Sequence, residues 1–363
     1  MNRPMDSIRE YMQSKPALKP IYEAAKHFRD WARQHLQIVC FLIKVVVPII
    51  LRTRTRPVLF YRYVGMGDII CTFPAVEQLK KRHPDSEYIY SCHPEFACLP
   101  RMAGITSRVE SFRLNSIQNY WTFAFEAIYE FIHDDEPGFE VFGKKLNEGS
   151  VIEDFGRQHH VVVSDSHPHL QVDSAVLAGV QSILKKKNCP QDSLLVIHCG
   201  PSWRVREFPA ESWAILIQKL HACGFSNIVQ LGTSDHSCLG MVGSMNFPEV
   251  TSLVDQLSLE ESIALISLGR LFVGIDSGLL HVAASLRVPS VGIFGPTSPQ
   301  YRFSEKGSCS FVVSDVECQG CHHRLPRLHY ESGCPYDIAC MRTLPMEKVL
   351  EKCLSKLNAT KSN

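Results

Sequence analysis

The sequence contains no GxxxxGK[ST] phosphate loop, no HExxH pair and no DxD. Their absence argues against a P-loop nucleotidase, a zincin-type hydrolase and a transferase that grips its nucleotide sugar through a metal on DxD. A dinucleotide fingerprint is missing too: in Val64-Gly65-Met66-Gly67-Asp68-Ile69-Ile70, Ile70 stands where the third glycine would be. Neither sign of charge dominates. Against 38 Lys and Arg stand 37 Asp and Glu, a net charge of +1, so the chain carries no global nucleic-acid footprint and none is expected as a partner. The first twenty residues hold no apolar core of the kind a cleaved leader needs. A reducing, cytoplasmic setting is therefore expected for the 14 cysteines, most of them buried as small hydrophobes. No apolar run reaches the ~20 residues of a clean membrane span.

What is present is an ordinary folded composition, 45 % hydrophobic and 21 % charged over 363 residues, long enough for two domains with real cores. The charge is unevenly spread. Residues 1–56 hold eleven basic against four acidic side chains, and the rest of the chain is net acidic. In this arm, Ala24, Ala25, Phe28, Trp31, Ala32 and His35 share one helical face. Leu36 to Leu51 follow as an apolar stretch broken by Lys44 and Pro48, then come Arg52, Arg54 and Arg56. Cations flanking such a stretch suit an anionic membrane surface, so peripheral attachment to the inner face of the cytoplasmic membrane is expected. A helix packed on the body, or a single span, stands as the alternative.

Beyond residue 56 strands and helices alternate. Strands are expected at 57–64, 87–92, 159–165, 194–200, 227–232, 271–276 and 290–295. Helices are expected at 68–83, 172–187, 210–224, 258–269 and 277–286, with Ser258 and Glu261 at capping-box spacing. The polar run at 185–192 marks the boundary between a first Rossmann-like domain, 57–188, and a second, 189–343, with a terminal helix in 344–363. This rhythm implies an α/β fold with parallel sheets and a ligand cleft at the carboxyl ends of their strands.

Three loops carry chemistry. In the first, Gly65 and Gly67 let a ligand approach the backbone, and Asp68 is either a helix N-cap or a general base. The second, Ser202-Trp203-Arg204-Val205-Arg206-Glu207-Phe208-Pro209, offers small residues and guanidiniums suited to phosphate, or is a solvated surface loop. The third, Asp276-Ser277-Gly278-Leu279-Leu280-His281, puts a Ser-Gly pair at a helix start, where free N–H groups and the dipole favour a diphosphate. Asp276 would accept hydrogen bonds from sugar hydroxyls, whereas His281 is either a donor contact or a structural histidine. Gly295 and Thr297, in Gly295-Pro296-Thr297-Ser298-Pro299, would border the same pocket.

Taken in order, GMGDII with Pro74, SWRVREFP with Trp213, and DSGLLHVAASLRVP running into FGPTSP resemble glycosyltransferase family 9. These are the bacterial ADP-heptose:lipopolysaccharide heptosyltransferases and their relatives. The resemblance implies a GT-B fold, two Rossmann-like domains facing across a cleft, with a C-terminal helix over Pro345–Leu357 closing back on the first. It implies inverting transfer with no cofactor required for catalysis, an ADP-sugar donor and a lipid-linked or glycan acceptor. The catalytic carboxylate falls on Asp68, the phosphate-binding cation on Arg206 (where lysine is usual), the donor motif on Asp276, Ser277 and Gly278, and the adenine-side segment on Leu257 and Ser258.

Cys318, Cys321, Cys334 and Cys340 form C-x2-C-x12-C-x5-C. Four thiolates at such spacing suit structural Zn or Fe, with His322, His323 and His329 as substitutes; free thiols or disulfides are the alternatives. Four-cysteine tails recur among family-9 relatives, and the related autotransporter heptosyltransferases carry an iron-binding finger. A protein-modifying heptosyltransferase therefore stays open beside the lipopolysaccharide enzyme, as does a non-catalytic nucleotide-sugar-binding scaffold on a GT-B frame.

Overall fold

The computed structural model describes residues 19–53, 55–112, 122–132, 149–164, 167–191, 193–200, 202–234, 247–303, 308–323 and 334–359. Arg54, Asp165 and His329 fall outside these, as does part of the stretch from 110 to 150. The arm is one helical run: α1 (Lys19–Phe41), a π-helical segment at Leu42–Val46, and α2 (Val47–Thr53). Pro48 explains the π segment, because a proline has no N–H to return to the carbonyl four residues back and the ladder must shift around it. Phe41, Leu42, Val46 and Ile49 are buried against Leu59, Tyr61, Ile89, Phe112 and Phe125. The opposite face leaves Leu36, Val39, Ile43, Val47 and Leu51 exposed. The arm thus packs on the body through one face and shows an apolar stripe on the other. No helix among the described residues is long and apolar enough to cross a membrane.

The first sheet is built from β1 (Val58–Tyr61), α3 (Met66–Lys80), β2 (Tyr88–Ser91), α4 (Cys98–Met102), β3 (Val109–Glu110) and β4 (Ala127–Glu130). Its strand order is β3-β2-β1-β4, all parallel, with Val58 opposite both Tyr88 and Ala127. β1 is buried at all four positions, as a central parallel strand covered on both faces must be. α5 (Val151–Gln158) opens with a Ser150–Glu153 capping box and packs on α3. The segment read as a strand at 159–165 forms none over its described residues. His160 turns the chain at φ +54°, Val161 N–H bonds back to the Gly156 carbonyl, and Val162 is 92 % exposed. The apolar run is there because Val161 and Val163 close over Gly156, not because a ladder partner exists.

α6 (Ser174–Lys186), capped by the Asp173 carboxylate, leads to the second unit. There follow β5 (Leu195–His198), α7 (Ala210–Ala222), β6 (Ile228–Leu231), β7 (Thr251–Ser252), α8 (Leu259–Leu268), β8 (Leu271–Ile275), α9 (Gly278–Ser285), β9 (Ser290–Ile293), α10 (Pro299–Arg302) and β10 (Cys309–Val312). The six strands run parallel in the order β10-β9-β8-β5-β6-β7. Ser258 caps α8 in the expected box. α11 (Ala339–Arg342) and α12 (Met346–Ala359) complete the described chain. α12 lies on the second sheet and does not return to the first: Val349, Cys353 and Leu357 are buried with Leu216, Leu220 and Ile293. Its apolar face already has a full partner there. α3 and α9 meet across the seam, and one continuous core joins Phe60 and Phe73 to Leu280 and Phe294.

Candidate active site

The loop after β1 turns at Gly65, φ +85°, which is the N-cap of α3. A Cβ on Gly65 would collide with the Asp68 carboxylate, which folds back over the helix start. Asp68 is therefore not the cap. It is the third residue of α3, inside the first turn, where the helix dipole favours a carboxylate. Its Oδ2 accepts from Arg62 Nη2 at 2.9 Å, and its Oδ1 lies 3.5 Å from Arg302 Nη1. Arg62 follows β1 and Arg302 closes α10, so the second ion pair crosses the seam.

Asp276 follows β8 and is 3 % exposed. Its Oδ2 sits 3.3 Å from Arg206 Nε and accepts from Thr297 Oγ1 at 2.5 Å. Its carbonyl accepts from Ser202 Oγ and Arg206 Nη1, both at 3.5 Å. Burial pulls the carboxyl's pKa up, but Arg206 first, then Arg302 and Thr297, outweigh that and hold it below the ordinary range. The Arg206 guanidinium lies 3.7 Å from the centre of the Trp203 ring, which fixes its plane. Where the sequence suggested sugar hydroxyls for Asp276, the structure turns this carboxylate into Arg206 and Thr297.

Ser277 caps α9 in extended conformation, and its buried Oγ has no hydrogen-bond partner among the described residues. A Cβ on Gly278 would lie 2.6 Å from Met66 Cβ, and one on Gly67 2.5 Å from His281 Cδ2. The two glycines are thus what lets the N-termini of α3 and α9 come together. His281 is buried and faces Cys71 and His167 instead of opening on the loops. The Ser258 hydroxyl is engaged with Glu261 in the cap of α8, and Leu257 packs on the core.

The Gly295–Thr297 loop is braced by the cysteine segment. Gly320 N–H donates to the Gly295 carbonyl at 3.2 Å and His322 N–H to Pro296 at 2.8 Å. A Cβ on Gly295 would lie 2.9 Å from Cys340 Sγ. Burial, then the neighbouring thiols of Cys318, Cys321 and Cys334, push the Cys340 thiol up to about 12. None of the described cysteines is held in a disulfide.

Sequence reading missed Arg62, Arg302, Cys71 and His167. An arginine ending an apolar strand was the only local sign of Arg62. The other three take their meaning from partners far along the chain.

Two parallel α/β units meeting at the carboxyl ends of β1 and β8 define a GT-B architecture. The resemblance to glycosyltransferase family 9 holds: residues 163–330 match the family model "Glycosyltransferase family 9 (heptosyltransferase)". Lipopolysaccharide heptosyltransferase 1 of Pseudomonas aeruginosa is 28 % identical over 133 residues, 36 % of this chain and 37 % of that protein. Lipooligosaccharide heptosyltransferase 2 of Haemophilus ducreyi is 30 % identical over 158 residues, 37 % of this chain and 41 % of the relative. The matched stretch thus spans well under half of either relative. Among solved structures, ADP-heptose lipopolysaccharide heptosyltransferase II of E. coli superposes with TM-score 0.61 at 15 % identity, covering 84 % of this chain and 99 % of that one. The iron-containing heptosyltransferase TibC of enterotoxigenic E. coli, in complex with ADP-D-beta-D-heptose, superposes with TM-score 0.63 at 19 % identity, over 84 % and 77 %. At such identities these likenesses speak for the fold.

Proposed function

We propose that this chain is an inverting glycosyltransferase that moves a heptose from ADP-heptose to a hydroxyl of a lipopolysaccharide-core or related cell-surface glycan, with no metal in the catalytic step. The observation that carries this reading is the convergence of two helix N-termini, those of α3 and α9, with Arg62 and Arg302 on the Asp68 carboxylate and Arg206 on that of Asp276. Such a place favours a diphosphate, whose charge grows as it leaves. In the proposed step the acceptor oxygen forms its bond to the anomeric carbon as the carbon–oxygen bond to the diphosphate breaks. Asp68 takes the acceptor's proton, and ADP departs toward Arg206 and the Ser277–Gly278 helix start. Asp276 acts indirectly, holding Arg206 in place. A built site of this kind favours an enzyme over a scaffold.

The test is to incubate the protein with a panel of nucleotide sugars and measure the nucleotide released. ADP from ADP-heptose is expected, and preferential release of UDP or GDP would displace this donor.

A polypeptide acceptor is the second reading, favoured by the four-cysteine segment, Cys318, Cys321, Cys334 and Cys340, which lies against the Gly295–Thr297 loop. A set of four sulfurs fits tetrahedral zinc or iron, and a metal there would stiffen the Gly295–Thr297 loop. Offering a glycan and a polypeptide acceptor side by side decides between the two. We place the protein peripherally on the inner face of the cytoplasmic membrane. The exposed stripe of Leu36, Val39, Ile43, Val47 and Leu51, with Trp31 and Phe28 upstream, supports this. The cations count for less: Arg52 pairs with Glu87, and Arg56 donates to the Phe123 carbonyl.

A further inference from the structure

The seam between the two sheets contains three buried groups that the proposed reaction does not use. Cys71 lies one helical turn beyond Asp68 on α3, His281 lies in α9, and His167 precedes α6. Their donor atoms all lie within 4.8 Å of one another. His167 Nε2 is 2.8 Å from His281 Nδ1, and Cys71 Sγ is 3.5 Å from His281 Nδ1 and 3.9 Å from His167 Nε2. A point equidistant from the three lies about 2 Å from each, close to zinc–nitrogen and zinc–sulfur bond lengths. Phe303 stacks against both rings, at 4.3 Å from His281 and 5.0 Å from His167, and all three residues of the cluster are buried.

We infer that Cys71, His167 and His281 supply three ligands of a zinc site that ties α3 and α9 together, a water completing the tetrahedron. Both rings are buried, which favours the neutral imidazole that ligates a metal. The two nitrogens would each give a lone pair and Cys71 would lose its proton on binding. The site is distinct from the four-cysteine segment. It is a brace: the metal would fix the spacing between the helix starts that carry Asp68 and Ser277–Gly278, without touching a reacting atom. The alternative is a hydrogen-bonded Cys–His–His cluster with no metal.

Cobalt(II) separates the two, and its readout is independent of any sugar transfer. The full chain carrying Cys318→Ser and Cys321→Ser, stripped with chelator, is titrated with cobalt. One equivalent should bind, with the intense visible absorption of a low-symmetry site and a thiolate-to-cobalt band in the near ultraviolet. Zinc should displace it. Adding Cys71→Ser should abolish the thiolate band, and adding His167→Gln should weaken binding by about tenfold or more. A tail-disabled protein that melts cooperatively yet binds no cobalt overturns the site. So does a thiolate band that survives Cys71→Ser, or unchanged affinity in His167→Gln. If the tail-disabled chain does not fold, the same titration of the otherwise unaltered chain decides: Cys71→Ser must cost one equivalent, and unchanged stoichiometry contradicts the inference.

Discussion

Asp68, in the first turn of α3, and Arg302, at the end of α10, form an ion pair of 3.5 Å between the two halves of the molecule. The Arg302 side chain is only 8 % exposed, so the pair is screened little by water. With Arg62 on the other oxygen, it holds the carboxylate in one orientation at the mouth of two helices. Removing that hold should misplace Asp68. Arg302→Met is expected to lower kcat by about 10²-fold, the scale of a misplacement near 1 Å, with a much smaller loss of ADP affinity. Steady-state kinetics with calorimetry of ADP binding checks this, and an unchanged kcat would remove Arg302 from the account.

The contact between Gly67 and His281 makes a second prediction about the same seam. A Cβ at Gly67 would lie 2.5 Å from His281 Cδ2, and His281 is itself pinned by Cys71, His167 and Phe303. Gly67→Ala should therefore destabilise the fold by about 1–3 kcal/mol, the usual result of overpacking. Urea denaturation measures it. Wild-type stability would mean that the helices separate without cost.

His198, at the end of β5, provides a pH test away from the seam. Burial pushes its pKa down to about 4, only partly opposed by the Leu231 carbonyl 3.2 Å away. The folded state therefore keeps it neutral while the unfolded chain protonates near 6.5. Below pH 6.5 the unfolded state binds the extra proton, so this contribution is complete above that pH and is lost as pH falls toward 4. Between those values His198→Gln should flatten the stability curve by up to about 1.4 kcal/mol per pH unit relative to wild type. Denaturation at pH 5 and pH 7 gives the comparison. Identical slopes would show that His198 titrates as it does in water.

How much of this was legible in the sequence depended on how local the cause was. Asp68 beside Gly65, the Ser258–Glu261 capping box and the strands at Val58, Leu195 and Leu271 all announce themselves within a few residues. The apolar run at Val161–Val163 misled because a run of valines looks the same whether it joins a ladder or covers a glycine. The helix Met346–Ala359 was foreseen, but which sheet its apolar face covers is decided by tertiary packing. Arg302, Cys71 and His167 act through partners from distant segments, and no periodicity brings such residues together in advance.

The arm separates attachment from folding. Leu36, Ile43 and Leu51 are exposed, whereas Val46, on the buried face, is 1 % exposed. Replacing the first three by Ser should weaken binding to anionic vesicles and leave stability within about 0.5 kcal/mol. Val46→Ser should instead cost about 2 kcal/mol or more through its buried contacts. Vesicle sedimentation and thermal melts report the two effects. Undiminished vesicle binding by the triple variant would dismiss the stripe as a membrane face.

The most direct test is Asp68→Asn, assayed for ADP binding and for transfer from ADP-heptose to a lipopolysaccharide-core acceptor. The amide keeps the size of the side chain but cannot accept the acceptor's proton. ADP affinity should stay close to that of the unaltered protein while transfer falls by about 10²–10⁴-fold. Full transfer by Asp68→Asn would contradict the account, leaving Asp68 as no more than the partner of Arg62 and Arg302.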